Sequence, residues 1–168
     1  MNEIVIRKVS AAELDTCADV IREGFLTVAR DFGLTQENCP TNGAFLKVDR
    51  LIAERENGIV QYGLFHKGNL IGFMQLEQKR AELYILEKLA VLPPFRHLGY
   101  GKLLLDFAKE EVGRLRGSKI SIGIIEENTQ LKNWYLQHGF VHTGTKVFAH
   151  LPFTVGFMEW TVQPYKMF

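Results

Sequence analysis

The spacing of apolar residues along the first third of the chain predicts a strand followed by two helices. Residues 4–6 form a β-branched run that is typical of a short strand. Apolar side chains then recur at helical spacing over residues 14–29, and again over residues 44–56. Ser10, followed three residues later by Glu13, has the form of a capping box, which indicates where the first helix begins.

Strand periodicity dominates the next part of the chain. Two apolar runs are joined by Lys67-Gly68-Asn69, whose Gly-Asn pair is a hairpin signal. The predicted elements are strands over residues 59–66, 70–77 and 81–91, a helix over 101–115, a strand over 119–125, a helix over 129–138 closed by Gly139, and strands over 140–144 and 153–161. The order β-α-α-β-β-β-α-β-α-β-β predicts an α/β (α+β) fold in which helices flank a mixed sheet.

Composition narrows the class of protein. The 168 residues are 46% hydrophobic and 23% charged, which fits one globular domain spanning residues 1–168. A formal net charge of +1 argues against nucleic acid as a partner, and no apolar run approaches the roughly 18 residues of a membrane span. Cys17 is expected in the core, whereas Cys39 lies in a loop and is a candidate for exposure. Because the two cysteines lack metal-ligand spacing and the chain lacks a signal-like start, we expect no metal site and a cytoplasmic location.

The most informative stretch, residues 89–102, runs from a buried strand through a proline bend into a helix. Arg96, Gly99 and Gly101 lie at this junction, with Lys102 beside them. The first amides of a helix have no partner within it, the helix dipole is positive there, and glycines allow close approach of an anion. A turn in which the glycines serve only the backbone is the alternative, since two glycines alone are a weak signal. The stretch is neither a P-loop nor a dinucleotide fingerprint, because it lacks the Ser or Thr of the first and the third glycine of the second.

The motif Arg96-x-x-Gly99-x-Gly101, preceded by Leu89-Ala90-Val91, resembles the acetyl-CoA signature of the GNAT superfamily of N-acetyltransferases. The resemblance covers about residues 4–162 and is specific over residues 84–144. It implies a mostly antiparallel central sheet of about six to seven strands. It also implies that the loop amides hold the pyrophosphate of acetyl-CoA and that the preceding strand pairs with its pantetheine arm. The residues predicted to bind this cosubstrate are Leu89, Ala90, Val91, Arg96, His97, Leu98, Gly99, Tyr100, Gly101, Lys102, Asn128 and Asn133.

A second stretch, residues 127–140, is similar to the other conserved block of this family. The resemblance implies that Asn128 contacts coenzyme A and that Tyr135 lies near the thioester sulfur. A phenol, whose pKa is ordinarily near 10, can protonate or hydrogen-bond the departing thiolate, so Tyr135 is a predicted catalytic residue. Without the family, Tyr135 would be read as an aromatic packing residue of a helix.

The sequence identifies the general base less clearly than the residues that bind the cosubstrate. Glu87 is the candidate, because it precedes Leu89 by two residues and therefore faces the same side of a regular strand. A salt bridge with Lys88 or Arg80 is the alternative interpretation of Glu87. Some family members carry a catalytic glutamate on the strand before the second block, but Gly123 occupies about that position here. A water relay therefore remains open as the route for the proton.

Three hypotheses for function follow from these motifs. The first is an N-acetyltransferase that transfers the acetyl group from acetyl-CoA to a primary amine of a small molecule or peptide, by direct attack in a ternary complex. The second is an acetyl-CoA-binding sensor or interaction domain without turnover, and the third is a different phosphate-ligand protein, such as a nucleotide binder. Residues 36–42 are expected near the acceptor, with an ordinary connector between helices as the alternative. The candidates to line its cleft are His66, Gln75, Glu77, His142 and His150. A homodimer is an expectation at the level of the family only.

Overall fold

The computed structural model describes residues 3–162, so the first two and last six residues of the predicted domain lie outside the described range. The helices and strands of this range are β1 (Ile4–Lys8), α1 (Leu14–Asp31), α2 (Val48–Glu56), β2 (Val60–His66), β3 (Asn69–Gln78), β4 (Leu83–Val91), α3 (Tyr100–Arg114), β5 (Lys119–Ile125), α4 (Thr129–Gln137), β6 (Val141–Val147) and β7 (Thr154–Thr161). Their order is the predicted one.

The strands of residues 3–162 form a seven-stranded sheet in the order β1-β2-β3-β4-β5-β7-β6. The pairs β1–β2, β2–β3, β5–β7 and β6–β7 are antiparallel. The pair β4–β5 is parallel, with Leu83–Ile85 of β4 opposite residues 119–121 of β5. The intervening helix α3 is the crossover that returns the chain to the end of the sheet at which β4 began. The predicted fold class, a mixed and mostly antiparallel sheet with helices, is thereby confirmed.

The chain divides into two compact units, and β4 contributes to both. The first unit contains the chain up to Glu77 together with Leu86–Ala108. Its core is formed by α1, with Cys17 fully buried as predicted, and by side chains from the sheet face beneath it. The buried members of this core are Val9, Leu14, Cys17, Ala18, Val20, Ile21, Leu46, Leu51, Phe65 and Phe73.

The second unit contains Gln78–Ile85 and the chain from Lys109 onward. Its core includes Ile120 of β5 and Met158 of β7, both fully buried. Gly117, between α3 and β5, has no room for a side chain, because an added Cβ would lie 2.7 Å from both Tyr84 and Val112. The bend into β5 therefore depends on glycine for close packing.

The segment before α2 differs from the prediction. A single helix is predicted over residues 44–56, whereas the structure has a 3₁₀ turn at Gly43–Phe45, an extended break, and then α2. Leu46 in the break has an extended backbone and is buried. Its carbonyl accepts a hydrogen bond from Arg22 Nη1 at 2.6 Å, so a partner on α1 replaces a helical one.

Two local predictions are corrected by the tertiary structure. The hairpin turn consists of Lys67 and Gly68, with φ of 51° and 82°, and Asn69 already pairs with His66 as the first residue of β3. Two left-handed residues are typical of the type I′ turn, whose twist matches the strands. Cys39, a candidate for exposure, is only 2% exposed. The loop after α1 folds into a turn in which the Cys39 N–H donates to the Thr35 carbonyl.

Candidate active site

The glycine loop between β4 and α3 has an open, left-handed backbone. A 3₁₀ turn at Pro93–Phe95 ends the strand segment, and His97 and Gly99 then have φ of 63° and 89°. An added Cβ at Gly99 would meet no atom within 4 Å, so the backbone is accessible there. Leu103 donates its N–H to the Gly99 carbonyl at 3.1 Å, and the amides of the preceding first turn have no partner within the helix. The loop therefore has the form of an anion-binding helix start.

The side chain of Arg96 fixes this loop to helix α1. Its guanidinium donates to the Gly24 carbonyl at 2.5 Å and to Thr27 Oγ1 at 3.0 Å. Gly24 also packs closely against β4, because a Cβ at this position would lie 2.9 Å from the Cβ of Ala90. The Lys102 ammonium pairs with Asp106 at 2.6 Å. The charged groups of Arg96 and Lys102 are thus engaged within the protein, whereas the first amides of α3 have no partner within the helix.

Strand β4 is irregular at Lys88, whose φ of 55° lies in the left-handed region. A non-glycine residue with this backbone conformation is uncommon inside a strand and carries strain that its surroundings must offset. The regular alternation, on which the same-side argument for Glu87 and Leu89 relies, is broken here. The side chains of Glu87 and Lys88 instead reach a common polar cluster.

This polar cluster joins β3, β4 and α2 within the first unit. Gln75, which is fully buried, donates from Nε2 to Glu54 at 2.9 Å and to Glu87 at 3.1 Å. The Lys88 ammonium lies 3.0 Å from Glu54 Oε2 and 3.8 Å from Glu87 Oε2. Glu77 also hydrogen-bonds Glu87. The cluster therefore contains three carboxyl groups, one ammonium and the buried amide of Gln75. The salt bridge with Lys88 that the sequence offers as the alternative role of Glu87 is present at long range.

Burial raises the pKa of Glu87, and the hydrogen-bonded carboxyl of Glu77 raises it further. Gln75 and Lys88 act in the opposite direction, since each stabilises the ionised carboxylate. The Glu87 side chain is 26% exposed, so it is shielded from water and still reachable. An accessible carboxyl with a raised pKa is a stronger base than an ordinary carboxylate, which suits the role of a general base.

Glu54 and Gln75 are parts of this cluster whose connection to Glu87 is not evident in the sequence. Glu54 follows Leu51 by three residues and so lies on the inward face of α2, where a carboxylate is unusual. Gln61 and Gln75 likewise interrupt apolar strands at paired, buried positions. Polar residues at inward positions are the sequence signal that identifies such a cluster. Their partners are fixed only by strand pairing.

The residues predicted from the second block lie in the second unit. Asn128 accepts a hydrogen bond from the Leu131 N–H at 3.2 Å, so its side chain caps helix α4. Asn133 is exposed on that helix. Tyr135 is 5% exposed and packs edge-on against Trp134 and Phe140, at ring-centroid distances of 4.9 and 5.2 Å. Burial raises the pKa of Tyr135, so its phenol stays protonated at neutral pH and is available only as a donor or acid.

The two carboxylates after β5 have partners of their own. Glu126 pairs with Lys132 and, at 2.9 Å, with His142. The Lys132 hydrogen bond, followed by that of His142, lowers the pKa of Glu126. Glu127 accepts from the Thr154 N–H at 3.1 Å, and this backbone bond lowers its pKa. Both groups are therefore stabilised as carboxylates, which makes them weaker bases than Glu87.

Among residues 3–162, no group of three or more histidine, cysteine, aspartate or glutamate side chains has an arrangement that could hold a metal ion. In the same range, no helix has the length and apolar character that a membrane crossing requires.

Comparisons with a family model and with a known protein both identify acetyltransferases. A model of the acetyltransferase (GNAT) family matches residues 28–140, which is more than half of the chain. An uncharacterized N-acetyltransferase in the pepI 3′ region of Lactobacillus delbrueckii subsp. lactis is 29% identical over 162 residues, which cover 89% of this chain and 91% of that protein.

Two solved structures share the fold. The ribosomal-protein-S18-alanine N-acetyltransferase from Escherichia coli superimposes with a TM-score of 0.76 at 13% identity, over 97% of this chain and 96% of that one. The PaiA N-acetyltransferase from Thermoplasma acidophilum, in complex with coenzyme A, gives a TM-score of 0.73 at 23% identity, over 94% and 98% of the two chains. The family match extends from α1 through the glycine loop to the end of α4, and the chain therefore belongs to the GNAT family of acetyltransferases.

Proposed function

We propose that this protein is an N-acetyltransferase that uses acetyl-CoA to acetylate a primary amine of a small molecule or peptide, by direct attack of the amine. The observation that carries the proposal is the glycine loop at the start of α3. Gly99 has a left-handed backbone with open space around it, and the first amides of α3 have no partner in the helix. Family membership supports acetyl-CoA as the anion that this loop binds.

The residues of the loop fit a pyrophosphate. Backbone amides at a helix start bind phosphate oxygens without any side chain, and the helix dipole favours the negative charge. Arg96 contributes by fixing the loop to α1 rather than by free charge. Acetyl-CoA supplies an activated acyl group as a thioester.

Glu87 is the proposed general base. An ammonium acceptor must lose a proton before it can attack, and a carboxyl with a raised pKa is suited to take that proton directly or through water. Tyr135 is the proposed acid, because its buried phenol is protonated at neutral pH. The E. coli neighbour is named as an N-acetyltransferase of an alanine in a ribosomal protein, which supports an amine as the acceptor. Small-molecule amines and peptide amines are the two classes of acceptor that we propose.

The first experiment compares Gly99→Ala with the matched control Gly68→Ala. Both glycines have positive φ and open surroundings, so each substitution strains the backbone by about 1 kcal/mol. We expect similar losses of stability, whereas only Gly99→Ala weakens acetyl-CoA binding in isothermal titration calorimetry. ATP and NAD serve as competing ligands. Equal affinity for acetyl-CoA in both variants, or no heat with acetyl-CoA for the folded wild type, would remove the loop from the binding site.

The second experiment separates an enzyme from a binding domain without turnover. Release of coenzyme A is measured with a panel of primary amines that includes polyamines, amino acids, aminoglycosides and peptides with free N-termini. Release with one class identifies the acceptor. Binding of acetyl-CoA without release by any amine would instead favour the sensor or interaction domain.

A further inference from the structure

Glu54 on α2 shares its hydrogen-bond donors with Glu87. Gln75 Nε2 lies 2.9 Å from Glu54 Oε2 and 3.1 Å from Glu87 Oε2. The Lys88 ammonium lies 3.0 Å from Glu54 Oε2 and 3.8 Å from Glu87 Oε2. The amide is thus divided almost equally between the two carboxyl groups, whereas the ammonium is clearly closer to Glu54.

We propose that Glu54 is a positioning residue for the general base: it holds the Lys88 ammonium away from Glu87 and so leaves the Glu87 carboxyl able to accept the proton of the amine. This inference rests on the proposed function of Glu87. It adds a residue from α2, 33 positions before Glu87 in the chain, to the machinery of the reaction.

The burial of the cluster makes the position of the ammonium important. The Lys88 and Glu54 side chains are only 10% and 15% exposed, so water screens their interaction weakly. At close range an ammonium stabilises the ionised form of a carboxyl and makes it a poorer base. Without the charge of Glu54, Lys88 keeps its ion pair with Glu87, and the present separation of 3.8 Å is expected to shorten.

Other charged groups around Glu87 do not replace this role. Glu77 on β3 is hydrogen-bonded to the Glu87 carboxyl itself, and this contact raises the pKa of Glu87. Arg50 on α2 approaches the other oxygen of Glu54, at 3.9 Å, and so supports the negative charge of Glu54. That oxygen, Oε1, is buried and has no hydrogen-bond partner among the described residues. The bonds of Lys88 and Gln75 to Oε2 are therefore the main ones that hold the Glu54 carboxylate in place.

The test combines a direct titration of Glu87 with a kinetic pH profile. The Glu87 carboxyl is followed by ¹³C NMR in the folded protein, with Glu87→Gln used to assign its signal, and kcat/KM is measured over the same pH range. In Glu54→Gln we expect the titration midpoint of Glu87 and the acidic limb of kcat/KM to move together to lower pH, by about one unit. Glu54→Asp keeps the charge and shortens the reach to Lys88, so we expect a shift in the same direction.

A double-variant cycle with Lys88→Met separates positioning through Lys88 from a direct effect of the Glu54 charge. If Glu54 acts through Lys88, Glu54→Gln leaves the Glu87 midpoint unchanged once Lys88 is methionine. Glu56→Gln, an exposed substitution on the same helix, is the matched control and should shift neither readout. Circular dichroism establishes that each variant is folded.

The outcomes keep the two proposals distinct. An unchanged Glu87 midpoint in Glu54→Gln and Glu54→Asp, or an equal shift with and without Lys88, overturns the positioning role of Glu54. A shifted midpoint with an unmoved acidic limb of kcat/KM shows instead that Glu87 is not the base of the reaction. That result overturns the proposed function of Glu87 and, with it, the catalytic meaning of the link to Glu54.

Discussion

Replacing Glu87 with glutamine removes the proposed base and leaves its neighbours with partners. Gln75 and Lys88 keep Glu54 as an acceptor, at 2.9 and 3.0 Å. The new side-chain amide has the shape of the carboxyl it replaces and can donate to Glu77. The substitution therefore tests the ionisation of one group without leaving a buried ammonium unpaired.

The expected loss of activity follows from the role of a general base. Proton transfer by a positioned side chain contributes about 10²–10⁴ in rate, which corresponds to about 3–5 kcal/mol of the barrier. We expect Glu87→Gln to lower kcat by a factor in this range near neutral pH, and to abolish the acidic limb of the pH profile. The affinity for acetyl-CoA should stay nearly unchanged, because the loop at the start of α3 is intact.

The same substitution, although it is expected to lower activity, is expected to raise the stability of the folded protein. The pKa of Glu87 is raised in the folded protein, so between its ordinary value of 4.5 and the raised value the folded state binds more protons than the unfolded state. Stability from this group is therefore fully present below about pH 4.5 and is lost as the pH rises through the folded-state pKa. Glutamine does not titrate. Glu87→Gln should thus be more stable than the wild type above this window, by about 1.4 kcal/mol for each unit of pKa shift.

The assays are release of coenzyme A as a function of pH, and urea unfolding at about pH 4 and about pH 8. Glu82→Gln, at an exposed position just before β4, is the matched control and should change neither quantity. Wild-type activity in Glu87→Gln refutes its role as base. A change in stability that is the same at both pH values refutes the pKa argument, even if activity is lost.

The remaining predictions concern an end of the sheet, the loop anchor and the proposed acid. The Arg7 hydrogen bond, followed by that of the Ser10 N–H, lowers the pKa of Glu13 to about 2, so Glu13→Gln should cost about 1 kcal/mol at pH 7 in urea unfolding, a difference that disappears as the pH falls through about 2. Arg96→Met removes the two side-chain hydrogen bonds that hold the loop to α1 and should lower both Tm and the affinity for acetyl-CoA; loss of stability with wild-type affinity would separate the anchor from binding. Tyr135→Phe should reduce kcat with nearly unchanged acetyl-CoA affinity in calorimetry, and undiminished kcat would argue that Tyr135 serves packing alone.

Much of the fold could be predicted because its signals are local. Strand β5 has the predicted bounds, and the other helices and strands are displaced by only a few residues at most ends. The exception is the segment before α2, where the Arg22 side chain takes the Leu46 carbonyl and a helix is interrupted. Helical spacing cannot anticipate this, since the competing partner comes from α1.

The candidate site was predictable in part for the same reason. Gly99 is found where a turn needs a left-handed residue, and the start of α3 follows from the sequence around it. The environment of Glu87 was not predictable, because the left-handed Lys88 breaks the alternation of β4 and brings two consecutive side chains to one cluster. The assignments of Glu87 and Tyr135 as base and acid stay predictions.

By itself, the sequence determined the order of helices and strands, the buried faces and the glycine loop. These depend on apolar spacing and turn residues, which act between positions close in the chain. The tertiary structure alone decided that the Arg96 guanidinium donates to the Gly24 carbonyl, 72 residues away, and that Glu54 pairs with Lys88, 34 residues away. Strand pairing and helix packing set such partners, because a charged group that is shielded from water pairs with whichever acceptor or opposite charge the fold brings within reach.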